Sequence, residues 1–182
     1  MPENRPGTAR ERLLAAALDL FAEHGVSGTS LQMIADRLGV TKAAVYHQFP
    51  TKDEIVLAVI DPALDRLEPI ADQAEAQRGQ AARRDAVLAG VIDLVVEFRR
   101  VSSTLSFDPV VVRLVRSHHA LRSLQRIRRL LGGTAPDPGS RVRMAVLSGG
   151  LIMAGADPAV AGLDDEDFRD HLLAAARRIL RG

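Results

Sequence analysis

Apolar residues recur along this chain with a helical period. Leu14, Ala17, Leu18 and Phe21 line one stripe, and Leu31, Ile34, Ala35 and Leu38 line a second. Spacings of three and four residues put each set on one face of a helix. The first stripe opens on Thr8 and Glu11, spaced as a capping box, and Gly25 predicts its end. The second is predicted to start at Thr29 or Ser30, with Thr29 and Gln32 spaced as another box. Gly39 predicts its stop. Val40 fills a turn, and Thr41 suits the N-cap of a third helix starting at Lys42. Two short helices joined by a glycine-containing turn make a helix-turn-helix. The first helix gives that pair a surface to pack against.

Thr51 to Glu54 form a third box, opening a fourth helix with Ile55, Val56, Val59 and Ile60 apolar. Pro62 and Pro69 follow. A proline inside a helix removes one hydrogen bond and crowds the preceding turn. A kink or break is therefore predicted near 58–61, and an end or second bend near 67–69. The polar stretch 73–84, with Gly79, reads as a linker. Val87, Leu88, Val91, Ile92, Leu94, Val95 and Phe98 give a fifth helix with a wide apolar arc. The Ser/Thr-rich stretch 101–108 reads as a connection closed by Asp108-Pro109. Sixth and seventh helices are expected at about 109–117 and 118–131, then a Gly/Pro loop. An eighth, at about 140–156, is apolar nearly all round. The ninth opens on the acidic run 164–167, which suits a helix N-terminus. The expected fold is all-α with about nine helices: a helix-turn-helix head at 1–54 and a helical ligand-binding and dimerisation body at 55–182.

The third helix carries the candidate chemistry. At about 100° per residue, Lys42, Ala43, Tyr46 and His47 fall within an arc of roughly 140°, and Val45 points the other way. That arc offers an ammonium, a phenol and an imidazole, all able to donate to phosphates or base edges. Ala43 and Ala44 keep the first turn thin enough for a major groove. Phe49, past the helix end, is expected to close the small core.

The stretch resembles the DNA-binding domain of the TetR family of transcriptional regulators. The resemblance rests on Phe21, Gly25, Thr29, Ile34-Ala35, Leu38-Gly39-Val40, Thr41-Lys42, Tyr46-His47, Phe49-Pro50 and Thr51-Lys52-Asp53-Glu54, within about residues 8–59. It implies that Gln32, Lys42, Ala43 and Ala44 face bases. It implies that Thr41, Tyr46, His47 and Lys52 hold phosphates, and it places Thr29 in the same DNA-binding set. It also implies a fourth helix that acts as a lever between head and body.

Composition narrows the alternatives. The chain has 182 residues, 47% of them hydrophobic and 26% charged, with no cysteine. Disulfides, zinc–thiolate sites and cysteine nucleophiles are thereby excluded. The first ten residues hold no apolar run, and the longest nearly apolar run, 144–156, is too short to cross a bilayer. A cytoplasmic protein with no membrane partner is expected. His118-His119 lack the i, i+4 spacing of a helix-borne metal pair, and no nucleophile elbow, phosphate loop or dinucleotide fingerprint occurs. No metal, cofactor or enzymatic activity is expected. Net charge is only +1, and residues 1–55 carry six basic against seven acidic side chains. That balance counts against strong nonspecific DNA affinity, which comes from phosphate neutralisation. Several of the acids, however, occupy first helical turns. Arg5 and Arg10 are placed to follow a DNA backbone or to lie in a solvated tail.

In the body, Arg122, Arg126 and Arg129 repeat at i, i+4 and i+7. They read either as the entrance for an anionic effector or as a solvated face paired with Asp164 to Asp167. A helix apolar on all sides must be covered on all sides. A second copy of the chain is the economical cover, giving a homodimer through the eighth and ninth helices. Phe98, Phe107, Val111 and Met144 are the candidate effector-binding residues, among helices four to eight. The function expected is a sequence-specific DNA-binding regulator, a ligand-relieved dimeric repressor of a palindromic operator. The rival is a helical dimerisation or scaffold protein with a vestigial head.

Overall fold

The computed structural model describes residues 7–133, 136–155 and 157–181. Arg5, read above as a possible backbone follower, lies outside them. Among the described residues there are eleven α-helices and one short 3-10 turn, and no strand. The head is α1 (Ala9–Gly28), α2 (Leu31–Leu38) and α3 (Lys42–Gln48). Thr8 and Glu11 cap α1 reciprocally, as their spacing predicts. Helical geometry in α1 breaks at Gly25, whose φ of 70° lies where side-chain-bearing residues are strained.

The fourth helix, α4 (Lys52–Leu64), runs through Pro62 instead of breaking before it. Pro62 stands in its last turn, where the missing N–H leaves only the Ala58 carbonyl without its helical donor. Helix α5 (Leu67–Glu75) follows, with Pro69 in its first turn. N–H groups there have no helical partner, so that proline is well tolerated.

Two stretches expected to be irregular are helical. The predicted linker 73–84 shrinks to residues 76–79, between α5 and α6 (Gln80–Glu97). Ala71 and Ala74 are fully buried, so α5 has an apolar face made of small residues that its polar composition hid. Gly90 makes the approach possible: a Cβ there would meet Ile70 Cγ2 at 2.9 Å. The Ser/Thr-rich stretch forms α7 (Arg99–Leu105), because Leu105 is buried against the head. Tertiary burial overrides weak local preference there.

Helix α8 (Pro109–Ser117) has the bounds expected after the Asp-Pro turn, and Asp108 caps it. Then come α9 (Leu121–Gly132), α10 (Pro138–Ala154) and α11 (Asp165–Arg181). Asp164 receives the N–H of Asp167 at 2.9 Å, fixing the acidic start of α11.

Two apolar cores result. One joins α1 to α4 and takes in Leu105, Val111 and Leu114 from α7 and α8. The other joins α5, α6, α9, α10 and α11 around Leu88, Ile92, Leu147 and Phe168. Helices α7 and α8 therefore pack with the head, although they stand in the middle of the body sequence.

Candidate nucleic-acid interface

Ser30, not Thr29, caps α2: its Oγ receives the Met33 N–H at 3.2 Å. Leu31, Ile34 and Ala35 are buried and Leu38 half-buried, so the apolar face is the one its periodicity predicts. Gly39 ends the helix in the left-handed region. Thr41 Oγ1 then receives the Ala44 N–H at 3.2 Å and starts α3. In α3 only Val45 is buried, and Phe49 beyond it closes the core. Thr41, Lys42, Ala43, Ala44, Tyr46 and His47 are all exposed, with Tyr46 45% accessible. The Lys42 ammonium lies 5.5 Å from the Tyr46 ring centroid. This is a thin ridge of donors around two methyl groups, the shape that base-edge reading in a major groove requires. Gln32 is also exposed on α2, with Nε2 donating to Asp36 Oδ1 at 2.7 Å.

Two residues of the expected set stand elsewhere. Thr29 is 2% exposed, and its hydroxyl donates to the carbonyls of Leu20 and Gly25 at 3.1 and 2.9 Å. It has turned inward to tie the end of α1. The Lys52 ammonium donates to the carbonyls of Val26, Ser27 and Thr29 at 2.6, 3.3 and 2.8 Å. Its three hydrogens therefore point at protein backbone.

Three of the acids that made the head nearly neutral are paired with arginines. Glu23 receives both terminal nitrogens of Arg37, and that hydrogen bonding holds its carboxyl below the usual carboxylate range. Asp19 pairs with Arg100, and Asp53 receives a hydrogen bond from Arg113 at 2.9 Å. None of these acids lies on α3, so the charge count understated how cationic the outward ridge is. Arg10 sits 5.0 Å over the Phe49 ring instead of extending as a free arm. Asp108 was missed as a head residue. Its Oδ2 receives the Val26 N–H at 3.2 Å from 82 positions away, and no local sequence signal announces that bond.

In the body, the four effector candidates do not line one cavity. Phe107 is 57% exposed, Val111 belongs to the head core, and Met144 to the body core. Phe98 is half-buried where α6 meets α7. The arginine stripe does not meet Asp164 to Asp167. Arg126 donates to Glu75 and Asp72 on α5, at 2.6 to 3.0 Å. An open hollow of about 510 Å³ lies beside that network, lined by Glu75, Arg83, Arg126, Arg129 and Leu130.

Residues 13–59 match the sequence model of the bacterial regulatory proteins of the tetR family. The head carries a TetR-family DNA-binding domain. It is 34% identical over 64 residues to the transcriptional repressor KstR2 of Mycolicibacterium smegmatis, over 35% of this chain and 31% of that protein. It is 39% identical over 56 residues to the transcriptional regulator RutR of Escherichia coli K12, over 31% of this chain and 26% of RutR. The chain thus matches about a third or less of the length of these curated relatives. Beyond the head, likeness is carried by structure. A TetR-family member from Streptomyces coelicolor superimposes with a TM-score of 0.72 at 21% identity, covering 98% of this chain and 92% of that one. AmtR of Mycobacterium smegmatis gives 0.68 at 26% identity, covering 97% and 88%. The TetR fold therefore extends through the body. No described helix is long and apolar enough to cross a membrane.

Proposed function

We propose that this chain is a sequence-specific DNA-binding transcriptional regulator, acting as a dimeric repressor that a small ligand relieves. The observation that carries the reading is α3: a capped, seven-residue helix with one buried residue and its donors turned outward. A buried structural helix would not leave Lys42, Tyr46 and His47 in solvent together. Ala43, Ala44, Lys42 and Gln32 are assigned to base edges, and Thr41, Tyr46 and His47 to phosphates.

Dimerisation is proposed through α10 and α11. Helix α10 exposes Val142 (64%), Val146 (57%) and Met153 (52%). Large apolar side chains gathered on one helix mark an interaction face. A two-fold pair covers that face with its own copy and sets two α3 helices to read an operator palindrome. Ligand relief would shift the population toward a head spacing that no longer fits successive grooves.

The test is duplex binding to the DNA upstream of the coding sequence, at several salt concentrations. Combining Lys42→Ala with Tyr46→Phe should reduce specific binding by at least about tenfold. Equal binding by the double variant would instead indicate a scaffold with an idle head.

A further inference from the structure

Past the break at Gly25, the last residues of α1 form a separate turn that leads through Thr29 into α2. After the break at Gly25, the Val26 N–H and the carbonyls of Val26, Ser27 and Thr29 are groups that a continuous helix would have satisfied. Helix α1 has no basic residue in its last turn to meet those carbonyls. Lys52 supplies the cation, from the first position of α4. A lysine there gains nothing from its own helix, whose N-terminus repels positive charge. Its ammonium reaches instead to a helix C-terminus, where the carbonyls attract it. Asp108, at the start of α8, supplies the acceptor for the Val26 N–H. Its other oxygen receives the Val110 N–H at 2.8 Å and caps α8. The Thr29 hydroxyl closes the inner side of the turn.

We infer that Lys52 and Asp108 are positioning residues for the recognition unit: together they clamp the turn at 26–29 and so set the angle at which α2 and α3 leave α1. Ser30, the cap of α2, follows that turn directly. The clamp gathers one side chain from α4 and one from α8. Body and lever therefore both hold the segment from which the helix-turn-helix departs. Lys52 acts on DNA binding through this turn and not by touching phosphate. The assignment deepens the DNA-binding reading and rests on it only where duplex affinity is the readout.

Two measurements on the full chain test it. Backbone amide exchange at 26–29 and in α2 needs no DNA. Lys52→Met removes the donors at similar length. Asp108→Ser keeps an N-cap of equal quality for α8 but is too short to reach Val26 as well. Each should raise exchange at the turn by about tenfold or more, as loss of a charge-assisted hydrogen bond implies. The second measurement is binding to a mixed-sequence duplex across a salt series. A lost phosphate contact lowers the slope of log affinity against log salt by about one. A lost positioning contact lowers affinity about tenfold at every salt concentration and leaves the slope unchanged. A slope reduced by one in Lys52→Met, with exchange unaltered, would overturn the assignment. Unaltered exchange in Asp108→Ser would overturn the part given to the body. Should the unmodified protein fail to bind duplex, the regulator reading falls, and the exchange data still decide the clamp.

Discussion

Arg37 on α2 grips Glu23 on α1 through both terminal nitrogens, at 3.2 and 2.7 Å. The pair ties the two helices across the exposed side of the head. It also neutralises an acid that would otherwise repel a phosphate backbone. Arg37→Met is expected to weaken mixed-sequence duplex binding several-fold, since one cation is lost and one anion freed. The arginine holds the Glu23 carboxyl below its ordinary value of 4.5. A depressed folded-state value contributes stability above the unfolded value and loses it as pH falls through the folded one. The melting-temperature gap between the original and variant proteins should therefore be widest above pH 4.5 and close under acid. Thermal scans from neutral pH downward check this.

Thr41 starts a helix of only seven residues. So short a helix depends on its cap and on packing. Thr41→Ala should cost about 1 kcal/mol, and Thr41→Ser very little. Chemical denaturation measures the cost. Duplex binding should fall further for the alanine variant than for the serine one, because the first turn carries Lys42 and Ala43.

Asp61 lies at the end of α4, with Oδ1 3.3 Å from His118 Nε2 and no hydrogen bond that satisfies that oxygen. His118 is oriented by its Nδ1, which receives the Ala120 N–H at 3.2 Å. Burial pushes the Asp61 carboxyl above its ordinary 3.8, and the facing histidine only partly offsets this. A raised folded-state value means that the charged form is disfavoured in the folded protein. The related stability is present below pH 3.8 and lost as pH rises through the folded value. Asp61→Asn should therefore raise the melting temperature at neutral pH, with the gain shrinking toward pH 4. A variant melting lower at pH 7 would contradict this.

Val146 stands 57% exposed on α10, in line with Val142. In the proposed two-fold interface, a charge on this face meets its own image across the axis. Val146→Asp is expected to convert a dimer to monomers while leaving helix content unchanged. Sedimentation velocity and circular dichroism read the two outcomes separately.

Much of the head was legible because its signals are local. Capping residues, the glycine at 39 and the i, i+3, i+4 stripe act within a few residues of the groups they satisfy. Thr29 and Ser30 were both open as caps of α2, and only the path of the chain decides that Ser30 caps while Thr29 turns inward. Lys52 reads from sequence as an exposed cation beside DNA, and its carbonyl partners, 23 to 26 positions away, leave no trace in periodicity. Helices α5 and α7 were hidden for a related reason. Ala71, Ala74 and Leu105 are buried by distant elements, while their neighbours look like linker. The scattered effector candidates show the limit in the body, where core and cavity linings share one alphabet.

Only Val45 anchors α3 to the protein beneath it. Its other six positions are exposed, so their side chains can change with little effect on the core. Which operator is recognised can thus change by a handful of substitutions while the scaffold stays intact. Gene duplicates could diverge toward new promoters by that route, and an engineer could retarget the protein by rewriting one short surface segment.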